Sequence, residues 1–163
     1  MDTEGLAALA MMRYNGSDTR RVNHALKVYG TARAIAAGEA LEGFPLRVLG
    51  LAALLHDIGI HEAERKYGSA AGQYQELEGP PIAQKILEQL GAEPELAQRV
   101  CYLVGHHHSY TLVDGPDFQA LVEADFIVNI GEDGLSAEQA RKIRSRVFKT
   151  GTGTALLAAL YAL

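Results

Sequence analysis

The segment from Leu46 to Ile58 constrains the fold more than any other part of the chain. Read as a helix, it carries apolar side chains on almost all sides, and Pro45 stands where proline suits a helix first turn. A helix that is apolar all round must be surrounded by other elements. The segment falls short of the roughly 20 apolar residues that span a bilayer. We therefore expect it to be the central buried helix of the fold.

The rest of the chain also shows the pattern of helices. Segments rich in Ala, Leu, Glu, Gln, Arg and Lys recur, whereas alternating β-branched runs do not. Capping residues, prolines and glycines delimit the remaining predicted helices: Thr3–Tyr14, a second helix ending at about Ala37, Pro80–Leu90, Pro94–His107, Asp117–Ile130 and Ser136–Phe148. Glycines interrupt Ile60–Gly79, which we expect to be a partly irregular connection with one short helix at Ala63–Tyr67. The sequence thus predicts an all-α fold.

Length, charge and cysteine content narrow the class of protein. With 163 residues, 48% of them hydrophobic, the chain can bury the core of one domain. Its formal net charge of −5 provides no basic field, so we expect neither a nucleic-acid polymer nor a membrane as partner. The single Cys101 and the lack of a secretory signal predict a cytoplasmic protein. The apolar C-terminal stretch Ala155–Leu160 can pack internally or against a partner, which leaves a homo-oligomer open.

An ionisable pair, His56 and Asp57, lies at the end of the apolar central helix. An unpaired buried charge is expensive, so the pair needs a partner. Neighbouring side chains on a helix diverge by about 100°, and a cation between them can take a ring nitrogen and a carboxylate oxygen. Two candidates for further ligands are His24 and Asp125. Alternatively the pair caps the helix end, where a charged histidine is favoured but an aspartate is not.

Taken in chain order, His24, His56-Asp57 and Asp125 resemble the pattern of the HD-domain superfamily of metal-dependent phosphohydrolases. That pattern is a histidine, a His-Asp doublet and a later aspartate, each on a different helix. The apolar residues before the doublet and Ile58-Gly59 after it match the family's style, and Glu123-Ala124-Asp125 resembles its final motif. The resemblance covers about residues 17–130.

The resemblance implies a helical bundle of the HD-domain type with about seven or eight helices. We expect residues 1–163 to form a single domain, in which the C-terminal helices of residues 136–163 pack on the motif-bearing core. In the resemblance, His24, His56, Asp57 and Asp125 are the metal ligands. Such a mixed nitrogen and oxygen site with open positions suits Mn, Fe, Co, Ni, Zn or Mg.

A second group of histidines, His106, His107 and His108, follows at the end of a predicted helix. The resemblance implies that His106 or His107 binds a second metal or holds phosphate, whereas we expect His108 to be exposed at the helix end. Two-metal branches place another histidine just before the next helix. Here Glu78 stands nearest to that place, so a second metal bound by His106, His107 and Glu78 stays open, and His61 is a further candidate.

Arg20 lies four residues before His24 and hence on the same face of the second helix. Its guanidinium group can hold a phosphate near the metal, and a solvated charged face is an equal alternative.

Together these residues predict a metal-dependent phosphohydrolase that acts on a small, nucleotide-like phosphate ester. In this hypothesis a metal-activated water is the nucleophile, and Asp57 or Glu78 orients it. Arg20, with His106 or His107, stabilises the developing negative charge. Whether the enzyme is a phosphomonoesterase or a phosphodiesterase stays open.

Two other functions also stay open. A few members of the superfamily use two irons to activate dioxygen, which is the alternative of a di-iron oxygenase. The other is a non-catalytic regulatory module, which would bind a nucleotide tightly without turnover.

Overall fold

The computed structural model describes residues 2–163, and these residues form nine α-helices and no strand. The all-α prediction is confirmed, with slightly more helices than expected. In chain order the helices are α1 (Thr3–Asn15), α2 (Thr19–Gly38), α3 (Gly43–Leu55), α4 (Ile60–Tyr67), α5 (Gly72–Gln89), α6 (Pro94–Val104), α7 (Pro116–Glu132), α8 (Ala137–Val147) and α9 (Gly151–Tyr161), with a short 3₁₀ helix (Tyr110–Leu112) before α7.

Helix α3 is the central buried helix that the sequence predicts. Every residue from Val48 to Leu55 is buried, and α1, α2, α6 and α7 all pack against α3. Fully burying one leucine or valine side chain contributes about 1.5–3 kcal/mol, so this helix supplies much of the core. The helix ends at Leu55, and His56 follows as its C-terminal cap.

Helices α2 and α7 pack against each other and against α3. Helix α2 begins after Asp18, whose side chain accepts a hydrogen bond from the backbone N–H of Arg21. Helix α7 begins at Pro116 and is buried from Asp117 through Asp125. Because these two helices flank the end of α3, their inward side chains converge on the same place.

The connection after α3 is more helical than expected. The short helix expected at Ala63–Tyr67 is present within α4, which begins at Ile60. The prediction that much of Ile60–Gly79 is irregular is wrong, because α5 already begins at Gly72 and only residues 68–71 lie outside the helices. Pro80 and Pro81 lie inside α5 rather than at its start. Proline is favoured in the first turn of a helix, but the packing of α5 against α4 and α6 overrides that local preference.

The link between α8 and α9 is fixed by a buried carboxylate on α7. Glu123 accepts hydrogen bonds from the backbone N–H groups of Lys149 (2.6 Å) and Thr150 (2.9 Å) and from the side-chain amide of Gln119 (2.7 Å). These bonds compensate for burying the charge. They attach the C-terminal helices to α7.

No single helix within residues 2–163 is long and apolar enough to cross a membrane. Helices α3 and α4 reach that length and composition only when taken together, across a bend of 43°.

Candidate metal centre

The structure brings the four predicted metal ligands together. His24 comes from α2, His56 and Asp57 directly follow α3, and Asp125 comes from α7. The Nε2 atoms of His24 and His56 are 3.3 Å apart. An oxygen of Asp125 lies 3.2 Å from the Nε2 atom of His24 and 3.5 Å from that of His56. An oxygen of Asp57 lies 3.4 Å and 3.5 Å from the same two nitrogens.

These spacings and donor types fit a divalent metal ion. Ligand atoms that surround a metal tetrahedrally at about 2.1 Å are about 3.4 Å from one another. Ring nitrogens combined with carboxylate oxygens form a donor set typical of first-row divalent metals. In His24, His56 and Asp57, the candidate ligand atoms all lie within 4.8 Å of one another.

Three histidines present their Nε2 atoms to the interior of the cluster because their Nδ1 atoms form hydrogen bonds with groups outside it. The Nδ1 atoms of His56 and His107 each lie 2.9 Å from the backbone carbonyl oxygen three residues earlier, to which an Nδ1–H donates. The Nδ1 atom of His24 lies 2.8 Å from a carboxylate oxygen of Glu132. Such outer hydrogen bonds fix the tautomer of metal-ligating histidines and leave the Nε2 lone pair for the metal.

A second group adjoins the first and shares Asp57 with it. The Nε2 atom of His107 is 3.4 Å from an oxygen of Asp57. It is buried and has no hydrogen-bond partner among the described residues. An unsatisfied buried polar atom costs about 1–3 kcal/mol, so this nitrogen points to a ligand. Asp57, His107 and His108 are placed to hold a metal ion.

His108 is not exposed at a helix end as expected. Helix α6 ends at Val104, and the following turn folds the His108 ring against that of His107, with 4.0 Å between ring centroids. Burial, followed by the charge of His107, lowers the pKa of His108 to about 4. The ring is therefore neutral at pH 7, as a metal ligand must be.

The charges of the cluster stabilise one another. Burial alone disfavours the charged forms of His56 and Asp57, but their mutual attraction raises the pKa of His56 to about 9 and lowers the pKa of Asp57 to about 2. Burial opposes ionisation of Asp125 too, yet its bonds to the two histidines hold its pKa well below the usual range. His24, despite burial, has its pKa raised by its bond to Asp125. A metal that binds here therefore displaces protons.

A polar cavity of about 300 Å³ opens beside His24 and Asp57. Its other lining residues come mainly from α2, α7 and their ends: Asp18, Arg20, Arg21, Ile60, Asn129, Glu132 and Asp133. Arg21 forms ion pairs with Asp18 (2.6 Å) and Glu64 (2.7 Å). Arg20 has no ion pair in the part of the chain that the structure describes. Its guanidinium group can therefore bind an anion in this cavity.

The structure brings neither His106 nor Glu78 into either group of metal-binding side chains within residues 2–163. His106 stacks on the ring of Tyr102 at 4.3 Å, and its Nδ1 atom is 2.7 Å from the Tyr102 carbonyl oxygen. Glu78 accepts hydrogen bonds from Lys66 (2.7 Å) and Tyr67 (2.8 Å), which lower its pKa. Both side chains are thus engaged elsewhere.

His61 also lies outside both groups. Its Nε2 atom is 3.4 Å from an oxygen of Asp18, and its ring meets that of Tyr14 edge-on at 6.4 Å.

The sequence analysis missed two residues that hold the candidate ligands in place. Glu132 binds His24, and the side-chain amide of Asn129 donates to Asp125 at 2.9 Å. Both follow Asp125 on α7, at four and seven residues, and so lie on its face of the helix. That helical spacing is the signal by which the sequence could have revealed them.

Comparison with known proteins agrees with this geometry. The HD domain family model matches residues 21–147. The bifunctional uridylyltransferase/uridylyl-removing enzyme of Phenylobacterium zucineum (strain HLK1) is 36% identical over 111 residues, which cover 61% of this chain and 11% of that protein. The chain therefore matches only about a tenth of the length of this relative.

A solved structure shares the fold. It is that of a predicted HD superfamily hydrolase from an uncultured Thermotogales bacterium, with a TM-score of 0.65 and 22% sequence identity. The match covers 99% of this chain and 84% of that one.

Proposed function

Because this chain belongs to the HD domain family, we propose that it is a metal-dependent phosphohydrolase that acts on a small phosphate ester. The observation that carries the proposal is the convergence of His24, His56, Asp57 and Asp125 from three separate parts of the chain, with facing ligand atoms 3.2–3.5 Å apart. In the proposal these four side chains hold a divalent metal ion.

A bound divalent cation supplies Lewis acidity, which lowers the pKa of a water molecule and polarises a phosphoryl oxygen. The protein's contribution is position and charge. Asp57 offers one oxygen to each ligand group, so it is placed to orient the attacking water. Glu132 and Asn129 keep His24 and Asp125 in place.

Arg20 is the proposed phosphate anchor. It lines the polar cavity beside His24, and its guanidinium group presents a planar fork of donors that matches phosphate oxygens. His107 is the second proposed contact, because its unpartnered Nε2 atom lies 3.4 Å from Asp57, which lines the same cavity. We assign neither His106 nor Glu78 a direct contact with the phosphate. The His106 ring is hydrogen-bonded to the carbonyl oxygen of Tyr102, and the carboxylate of Glu78 is hydrogen-bonded to Lys66.

We further propose that the substrate is nucleotide-like. The name of the Phenylobacterium relative describes removal of a uridylyl group, which is a nucleotide, and the net charge of −5 argues against a polymeric substrate. The proposal includes a cytoplasmic location and a single HD-type domain over residues 2–163. The 99% coverage by the solved fold supports the single domain.

A di-iron oxygenase is the rival that a specific observation favours. The group of Asp57, His107 and His108 is able to hold a second cation beside the first. Metal analysis discriminates the two enzymes. Two irons per chain with consumption of dioxygen would favour the oxygenase, whereas phosphate release supported by a divalent ion favours the hydrolase. Nucleotide binding with metal but without turnover would favour the regulatory module.

The test pairs Asp57→Asn with the control Asp133→Asn. Both aspartates line the polar cavity, but only Asp57 belongs to the ligand groups. Metal content is measured by elemental analysis, and phosphate release is measured on a panel of phosphate esters. We expect Asp57→Asn to lose bound metal and to lower phosphate release at least about 100-fold. Asp133→Asn should retain full metal content, because Asp133 belongs to neither ligand group.

Retention of full metal content and full activity in Asp57→Asn would refute the proposed centre. A wild-type protein that binds metal and hydrolyses none of the esters would refute the phosphohydrolase function but not the metal centre.

A further inference from the structure

We propose that a second cavity beside the metal centre binds a flat aromatic group of the substrate, such as a nucleobase. The inference rests on the proposed phosphohydrolase function and adds a site that selects the substrate. We call this cavity the aromatic subsite. Its lining residues are Tyr110, Phe126, Lys142, Ile143, Arg146 and Val147.

The lining of the aromatic subsite suits a ring. The cavity has a volume of about 330 Å³, within the range of small-ligand sites. Tyr110 and Phe126 form one wall, with ring centroids 5.0 Å apart and planes inclined by 53°. Tyr110 is 41% exposed, so part of its ring is accessible. The side chains of Ile143 and Val147, from α8, add apolar surface to the lining.

The subsite lies next to the proposed phosphate position. Phe126 directly follows the ligand Asp125, and their side chains diverge by about 100° around α7. Phe126, Asn129 and Asp133 are three and seven residues apart and therefore share a face of α7. Asn129 and Asp133 line the polar cavity, whereas Phe126 lines the subsite. The two cavities are thus neighbours along one helix.

Tyr110 connects the subsite to the metal centre from the other side. It lies two residues after His108, in the short 3₁₀ helix that follows the histidine turn. Its ring also packs against that of Phe126, the residue that follows the proposed ligand Asp125.

The charges at the rim favour an aromatic group over an alkyl chain. Arg146 has no ion pair within residues 2–163, and Lys142 is paired only with the exposed Glu138 (2.8 Å). A cation over a ring face gains cation–π attraction, and the ring nitrogens and carbonyl oxygens of a base accept hydrogen bonds from a guanidinium group. An alkyl group offers neither. Stacking on a tyrosine contributes further.

The decisive measurement is the binding of nucleosides, which carry no phosphate ester and cannot be hydrolysed. The metal-loaded protein is titrated with adenosine and with uridine, and ligand NMR reports the dissociation constants. We expect Tyr110→Ala to weaken nucleoside binding about tenfold, the usual order for loss of a stacking ring. Tyr110→Phe should bind as the wild type does. Leu112→Ala is the matched control, since Leu112 is exposed in the same 3₁₀ helix but does not line the subsite.

Hydrolysis supplies the second measurement. Adenosine 5′-monophosphate and ribose 5-phosphate share the sugar and the phosphate, but only the first carries a base. Tyr110→Ala should lower kcat/KM about tenfold for the first ester and leave it unchanged for the second.

Failure of both nucleosides to bind the wild type, or equal binding by Tyr110→Ala and the wild type, would overturn the subsite. An equal loss of kcat/KM for both esters would also overturn it, because Tyr110 would then act on the phosphate end. If nucleosides bind through Tyr110 but no ester is hydrolysed, the subsite stands and the phosphohydrolase proposal fails.

Discussion

His106 and His107 are neighbours in the sequence with opposite surroundings. The ring of His107 is 99% buried with its Nε2 atom facing Asp57, whereas that of His106 turns back onto Tyr102. The turn after α6 separates the two rings because successive side chains point in different directions. The sequence alone predicts the same role, binding of metal or phosphate, for either histidine. Only the path of this turn distinguishes them.

At the residue scale, replacing these two histidines should therefore have unequal effects. We expect His107→Ala to lower metal affinity or kcat about 10- to 100-fold, because it removes the ring nitrogen that faces Asp57 in the second ligand group. His106→Ala should change either quantity less than about threefold. Metal titration and phosphate-release assays on both variants provide the check. A larger loss in His106→Ala than in His107→Ala would show that the assignment of the two rings is reversed.

The four proposed ligands were predictable because each belongs to a short pattern of residues in a helical context. His56-Asp57 interrupts an apolar run, and Asp125 stands among buried residues. The position of His108 was not predictable in the same way. Whether its ring is exposed depends on where α6 stops and on the packing of α5, whose Gly72 lies against that ring. No local pattern encodes either fact.

At the scale of elements, the approach of α5 to the turn after α3 depends on a glycine in that turn, Gly59. A Cβ atom on Gly59 would lie 2.6 Å from the backbone nitrogen of Gly79 and 2.8 Å from the carbonyl oxygen of Gln75. Backbone atoms cannot move aside as a flexible side chain can. Gly59 follows the His56-Asp57 doublet by two residues, so this contact also supports the metal centre.

Gly59→Ala should therefore lower the free energy of unfolding by about 1–3 kcal/mol, the usual cost of overpacking. Gly30→Ala is the control, since a Cβ atom there has no neighbour within 4 Å and the residue is exposed in α2. In that variant alanine should stabilise the helix by about 0.5–1 kcal/mol. Urea unfolding of both variants provides the comparison. Equal free energies of unfolding for Gly59→Ala and Gly30→Ala would mean that α4 and α5 do not require this close contact.

The errors in the predicted elements share one cause. Pro80 and Pro81 form a strong local signal for a helix start, and glycines form one for irregular chain, yet α5 begins at Gly72. The decisive interactions are the tertiary contacts of α5 with α4 and α6, which local patterns of residues do not reveal. The buried helix α3 was easier to recognise because its composition alone requires that it be surrounded.

At the scale of the whole molecule, the proposed metal would join α2, the turn after α3 and α7. A ligand that binds only the folded state stabilises it by RT ln(1 + [L]/Kd), about 2.7 kcal/mol at 100 times the Kd. Calorimetry with and without a chelator should thus show a lower Tm after metal removal. His24→Ala should show a much smaller difference.

The metal-dependent difference in Tm should grow with pH. Burial lowers the pKa of His56, but the charges of Asp57 and Asp125 raise it more. The result is a pKa of about 9, above the ordinary value of 6.5. The protonated ring of His56 stabilises the metal-free fold fully below about pH 6.5, and this contribution is lost as the pH rises through about 9. Metal binding requires the unprotonated ring. Calorimetric scans should therefore show a larger metal-dependent difference in Tm at pH 8 than at pH 6. An equal difference at both pH values would contradict the role of His56 as a ligand.

The buried carboxylate of Glu123 has a consequence for the order in which the protein matures during synthesis. All four proposed ligands have been synthesised once Asp125 is in place, but Glu123 then lacks the backbone donors of Lys149 and Thr150. Until that link has left the ribosome, α7 would have to bury a charge that only Gln119 stabilises, two residues before a proposed ligand. Domains generally fold as units during translation, so a nascent chain should acquire metal only after residue 150 emerges.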